Sequence, residues 1–321
     1  MRMATWVLLL LGIVIIIFVG FAVVTALTPP KSPPPLESIS APFRTMNFTK
    51  LPPLSRYTAR DGAGLAYRAY LAPHPKQTVV LIHGSSGASI SMHALAEYLQ
   101  GQSMTVYVPD MRGHGESGSK GDIAYIGQLE DDLEDFVNQV LKDKQGATLV
   151  GFSAGGGFAL RFAGSTRQKL FVRYLLLAPF LRHDAPTTRP NNGNWAKANI
   201  PRIIGISLLG YVGEKWLGHL PVLAFAIDPK TVEHQTAIYS YRLWSNFGPH
   251  YNYTSDMKAA KQPMTIMAGK NDELFYPQAY LSVFAAPLPH AEIIIVPKVG
   301  HITLTSERAG MAAIAQALAR Q

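Results

Sequence analysis

From Leu54 onward the chain alternates short apolar runs with longer stretches in which apolar residues recur every three or four positions. Thr78–Ile82 (TVVLI) is β-branched and apolar throughout, as befits a strand buried on both faces. Thr105–Val108, Ala147–Phe152, Val172–Leu177, Met264–Ala268 and Ile293–Val296 complete the set of predicted strands. Asp61-Gly62 is a hairpin signal between two further strands, the second over Leu65–Leu71. Helical spacing runs through Ile123–Lys142, with Leu129, Leu133, Phe136, Val137, Val140 and Leu141 on one face. Ala154–Ala163 is a small-residue helix, and an Ala-rich helix over Arg308–Ala319 ends the chain. Strand–helix alternation implies an α/β fold, a mostly parallel central sheet with helices on both faces.

Two regions break this rhythm. Residues 180–262 separate two strands by about 80 residues, far more than an ordinary connection. They hold three of the chain's four tryptophans (Trp195, Trp216 and Trp244) and the apolar helical stretch Ile203–Tyr211. This insertion is expected to be a helical cap over the active edge of the sheet. The other break is N-terminal. Val7–Leu27 is 21 residues without a charge, about 30 Å as a helix and so a bilayer's apolar thickness. Trp6 stands at its edge, where an indole prefers the membrane interface. The run is longer than the apolar part of a cleaved signal peptide, so residues 1–28 are read as an uncleaved transmembrane signal anchor. Charges flanking it hardly decide its orientation. An export-type anchor puts the bulk of the chain, residues 54–321, on the extracytoplasmic side. Between the two, residues 29–53 are crowded with proline and are read as an extended, semi-rigid spacer. Asn47-Phe48-Thr49 and Asn252-Tyr253-Thr254 match the glycosylation sequon, which matters only in a eukaryotic secretory pathway.

Composition narrows the chemistry. At 48% hydrophobic and 16% charged residues, the 321-residue chain is neither disordered nor a charged coiled coil. Its net charge of +8 is spread along the sequence, with no dense basic block, which argues against a nucleic-acid partner. Cysteine is absent, so disulfides, thiolate metal sites and a cysteine nucleophile are excluded.

A serine nucleophile remains. Gly151-Phe152-Ser153-Ala154-Gly155 fits G-x-S-x-G, directly after an apolar strand and directly before a helix. So tight a turn strains its central residue and thrusts the Ser153 hydroxyl out over the strand ends. A serine hydroxyl needs a base to take its proton. His301, in Val299-Gly300-His301-Ile302, follows the last strand and so reaches the same sheet edge. The base in turn needs an acid to fix its tautomer. Asp272 follows strand Met264–Ala268, giving the chain order Ser153, Asp272, His301 that this arrangement uses. Glu273 adjoins Asp272, Asp184 is a rival acid after the sixth strand, and Asp256 lies before its strand, at the wrong edge. Two N–H donors must hold a tetrahedral oxyanion. Ala154, first in its helix, supplies one, and Ser85 in the loop His83-Gly84-Ser85-Ser86-Gly87 supplies the other. His83 itself reads as part of the oxyanion loop and not as a proton-transfer group.

Taken together, these pieces resemble the α/β-hydrolase superfamily, in its serine aminopeptidase and monoacylglycerol-lipase-like (lysophospholipase) branch. The resemblance rests on His83-Gly84-Ser85, on Asp110-Met111-Arg112-Gly113-His114-Gly115-Glu116-Ser117, on Gly151–Gly155, on Gly269 with Asp272, and on Gly300-His301. It covers roughly residues 55–320. It implies the α/β-hydrolase fold, the Ser153–Asp272–His301 triad, the two oxyanion amides, and hydrolysis with no cofactor or metal. It also implies a supporting, non-catalytic role for His114. The expected activity is hydrolysis of a lipophilic carboxylic ester, such as a monoacylglycerol or lysophospholipid, beside a membrane. Amidase or peptidase, thioesterase and peroxidase chemistry can use the same triad, and a non-catalytic binding protein can keep the same scaffold.

Overall fold

A computed structural model describes residues 5–7, 9–10, 12–13, 15, 19–20, 29–44, 46–141, 146–211, 216–228 and 234–320. Most of the apolar run Val7–Leu27 lies outside them. Among the described residues no helix is long and apolar enough to cross a membrane.

Eleven described strands are β1 (Leu54–Thr58), β2 (Gly64–Tyr70), β3 (Gln77–Ile82), β4 (Met104–Pro109), β5 (Thr148–Phe152), β6 (Arg173–Leu177), β7 (Ala196–Ala198), β8 (Pro221–Phe225), β9 (Ile238–Ser240), β10 (Met264–Gly269) and β11 (Glu292–Val296). Eight of them form one sheet in the order β1-β2-β4-β3-β5-β6-β10-β11. β1 and β2 are an antiparallel hairpin turning at Gly62, and β2 is antiparallel to β4. From β4 to β11 every pairing is parallel. β4, β5 and β10 are buried along their whole length. That explains why they read as unbroken apolar runs, since helices cover both faces. The parallel strands all point their C-terminal ends at one edge, where the loops after β3, β5, β10 and β11 converge.

Three expectations are corrected. The insertion is not purely helical: besides the helix Ile200–Tyr211 it holds the antiparallel sheet β7-β8-β9. Val222 and Phe225 of β8 and Tyr239 of β9 are buried, as half-covered strands require. The stretch 29–53 is not an extended spacer throughout. Glu37–Arg44 is helical, and Ile39 is buried in the main core. Apolar Leu36 and Ile39, three apart, give that segment a face to bury, and this outweighs the prolines around it and Pro42 within it. Finally, the helix expected over Ile123–Lys142 begins only at Gln128, because Gly127 is left-handed (φ 106°) and Arg242 fastens the preceding turn through Asp122 and the Ala124 carbonyl.

Candidate active site

Ser153 sits between β5 and the helix Ala154–Ala163 with φ 53° and ψ −118°, a strained conformation for a residue with a side chain. The surroundings hold it there. Its N–H donates to the Leu177 carbonyl (2.8 Å), and its own carbonyl accepts from the N–H groups of Gly157 and Phe180 (both 3.0 Å). The turn closes only because its neighbours lack side chains. A Cβ on Gly151 would overlap the Gly155 carbonyl, and one on Gly155 would overlap the His83 carbonyl. The serine hydroxyl makes no helix-capping bond.

His301 is buried in the loop after β11. Its Nδ1 lies 2.8 Å from Oδ2 of Asp272, and its backbone N–H donates to Oε2 of Glu273 (2.9 Å). Asp272 is fully buried, and its Oδ1 accepts the N–H groups of Leu274 and Phe275, both at 2.8 Å. The rivals stand elsewhere: Asp184 is exposed and paired with Arg182, and Asp256 holds Nδ1 of His250 at 2.7 Å. Ser153 and His301 line one cavity of about 140 Å³ together with Gly84, Ser85, Trp195 and Phe48. Among the described residues no hydrogen bond joins the Ser153 hydroxyl to the His301 ring. The loop after β3 abuts Ser153: a Cβ on Gly84 would lie 3.3 Å from the Ser153 Cβ. Ala154 opens its helix, so its N–H has no partner inside it.

His83 and His114 lie behind this edge, both fully buried, with ring centroids 4.8 Å apart and neither lining the cavity. His83 Nδ1 faces the Gly84 carbonyl at 2.8 Å, and its Nε2 accepts the Met111 N–H. Burial lowers the pKa of His83, and burial with the adjacent His83 lowers that of His114 further. Both rings are therefore neutral in the folded protein, while in the unfolded chain they protonate below about pH 6.5. The unfolded state then binds the extra protons, so stability falls as pH drops from 6.5 toward the lowered native values. Urea midpoints are expected to be flat above neutrality and to decline between about pH 6.5 and 5. A midpoint that holds constant through that interval would contradict the neutral pair.

The insertion reaches both functional loops, through residues that sequence reasoning did not single out. Trp195 Nε1 donates to the Ser85 hydroxyl (2.9 Å). Ser86, left-handed at φ 66°, is clamped twice: its N–H donates to Tyr239 Oη (2.6 Å), and its carbonyl accepts the Thr236 N–H (2.8 Å). Tyr239 Oη also meets Nε2 of His114 at 2.5 Å. At the acid loop, Arg189 donates from Nε and Nη2 to the Asp272 carbonyl (3.1 and 3.0 Å), and Thr187 and Leu274 carry the flanking backbone bonds. No local pattern marks these contacts in the sequence.

The profile of the family described as serine aminopeptidase, S33, matches residues 73–308. No curated protein sequence matches the chain. Among solved structures, a soluble variant of monoglyceride lipase from Saccharomyces cerevisiae, in complex with a substrate analogue, is 18% identical at TM-score 0.65, over 86% of this chain and 98% of that one. The monoacylglycerol lipase of Paleococcus ferrophilus is 20% identical at TM-score 0.58, over 79% and 98%. A bromoperoxidase from Bacillus anthracis is 16% identical at the same TM-score of 0.58, over 82% and 99%. Likeness at these identities establishes the fold and leaves the chemistry to the residues.

Proposed function

The chain belongs to the S33 serine aminopeptidase family of α/β-hydrolases, and on that premise we propose that it hydrolyses a lipophilic carboxylic ester through an acyl-enzyme on Ser153. The observation that carries this reading is the His301 Nδ1 to Asp272 Oδ2 pairing, 2.8 Å long, in a residue that lines the same cavity as Ser153. Asp272 keeps the proton on Nδ1, so Nε2 is free to take the proton of Ser153 as its hydroxyl attacks the acyl carbonyl. The Ser85 and Ala154 amides hold the oxyanion. The alcohol leaves with the proton carried by His301, and water, deprotonated by the same ring, then frees the acid. No cofactor or metal enters these steps.

An ester fits the cavity better than a peptide N-terminus does. An aminopeptidase must meet a charged amine, for which a carboxylate is the natural partner. Among the described residues lining this cavity none is acidic, and most are apolar. The lipophilic character is supported by that lining and by the exposed apolar residues Ile200, Ile204 and Leu208 on one side of the insertion's helix. The run Val7–Leu27 then acts as a signal anchor that keeps the hydrolase domain beside a bilayer, on its extracytoplasmic side.

One experiment tests the reading. Membranes carrying the full chain are washed with alkaline carbonate and treated with a fluorophosphonate probe. The expected result is a single adduct, on Ser153, in the pellet. A chain found in the pellet without an adduct would point to a binding protein on the hydrolase scaffold, and a labelled chain in the supernatant would remove the anchor alone.

A further inference from the structure

Part of the cavity wall is built by residues that lie ahead of the family-matched region. Ile39, from the helix Glu37–Arg44, and Phe48 both line the cavity that holds Ser153. The segment is fastened at several points. The Leu36 N–H donates to the Ala226 carbonyl, and Arg44 pairs with Asp228 at 2.9 Å, both partners belonging to the insertion. On the other side, Phe48 stacks on His93 (centroids 5.8 Å apart, 29° between planes), at the start of the helix His93–Gly101. The segment thus bridges the insertion and the body of the domain across one side of the site.

We propose that this segment sets the acyl length the enzyme accepts, with Ile39 and Phe48 as specificity-determining residues that stop the chain and select short acyl or single-ring esters. The inference rests on the ester-hydrolase reading and narrows it. A cavity of about 140 Å³ is close to the ~150 Å³ known to hold one benzene ring. A long fatty acyl chain exceeds that volume. Two of the walls it meets are Ile39, which is buried in the core, and Phe48, which is partly exposed. The two walls therefore differ in what it costs to remove them. Truncating Ile39 opens a core cavity, whereas truncating Phe48 removes a half-open ring.

The test is the full chain in detergent, assayed on p-nitrophenyl acetate, butyrate, octanoate and palmitate, where only the acyl part varies. The wild-type protein is expected to favour the two short esters. Phe48→Ala should raise the octanoate-to-acetate ratio of kcat/KM by about tenfold, since one methylene in an apolar pocket already changes discrimination by that order. Ile39→Ala should move it the same way, and Phe48→Trp the opposite way. Because Phe48 is partly exposed, its variants keep the test decisive if Ile39→Ala fails to fold. An active enzyme that favours palmitate, or whose ratio ignores Phe48, overturns this inference and leaves the hydrolase reading standing. Absence of turnover on every ester, with no fluorophosphonate adduct, overturns both.

Discussion

Ser153→Ala is expected to lose hydrolysis of p-nitrophenyl butyrate by about a millionfold in kcat, the scale seen when a triad nucleophile is removed. The loss is chemical and not structural. The elbow's unusual φ is imposed by backbone bonds from Ser153 to Leu177, Gly157 and Phe180, none of which involves the hydroxyl. Alanine keeps the Cβ and hence the same strain, and no capping bond disappears. The melting temperature should stay within about a degree of the parent, consistent with a change that breaks no hydrogen bond and opens almost no space. Substrate should still bind, because the cavity walls are untouched. Residual turnover would come from the oxyanion amides acting on water. A variant that keeps even a hundredth of the parent's kcat would show that another group attacks the carbonyl.

Much of this site was legible because its parts are locally encoded. Strands buried on both faces have to be apolar at every position, so β3, β5, β6 and β10 announce themselves without any partner in view. The elbow is legible from one short motif: Gly151 is forced by contacts within its strand–turn–helix unit, and Gly155 by the His83 carbonyl of the neighbouring loop. The placement of His301 follows from topology, since a loop after a parallel strand can only emerge at one edge. What stayed hidden depends on distance along the chain. β7 and β9 are three residues each, too short for an alternation to register. Tyr239 looks like any strand tyrosine until the fold brings it to Ser86, 153 positions away. Ile39 was masked by a different effect, since proline density describes the average of a segment and not the eight residues that find a surface to pack on.

These long-range contacts change what the insertion is. A lid attached only at its ends would leave the catalytic loops to stand alone. Here it contributes Trp195, Thr236 and Tyr239 to the loop after β3 and Arg189 to the loop after β10. Ser86 could not hold its left-handed φ cheaply without that clamp, because a non-glycine residue there needs its neighbours to over-determine it. The insertion is thus part of the frame that holds the loops of Ser85 and Asp272.

Asp272→Asn tests the other half of that frame, and a loss of about 10⁴-fold in kcat is expected, with little change in stability. The direction follows from which oxygen does what. Oδ1 of Asp272 accepts two backbone N–H groups, from Leu274 and Phe275, and Oδ2 meets Nδ1 of His301. An amide has only one acceptor oxygen, and two fixed donors claim it for the Oδ1 position. Its NH2 group then faces Nδ1, which must offer a lone pair, so the imidazole proton moves to Nε2. A ring protonated on Nε2 cannot take the Ser153 proton, although every heavy atom keeps its place. Asp272→Ala is the poorer probe, because it leaves the Leu274 and Phe275 N–H groups buried without an acceptor, at about 1–3 kcal/mol each. Measured side by side, the asparagine variant should melt near the parent while its kcat collapses. Retention of a tenth or more of the parent's kcat would mean that the tautomer of His301 is set by something other than Asp272.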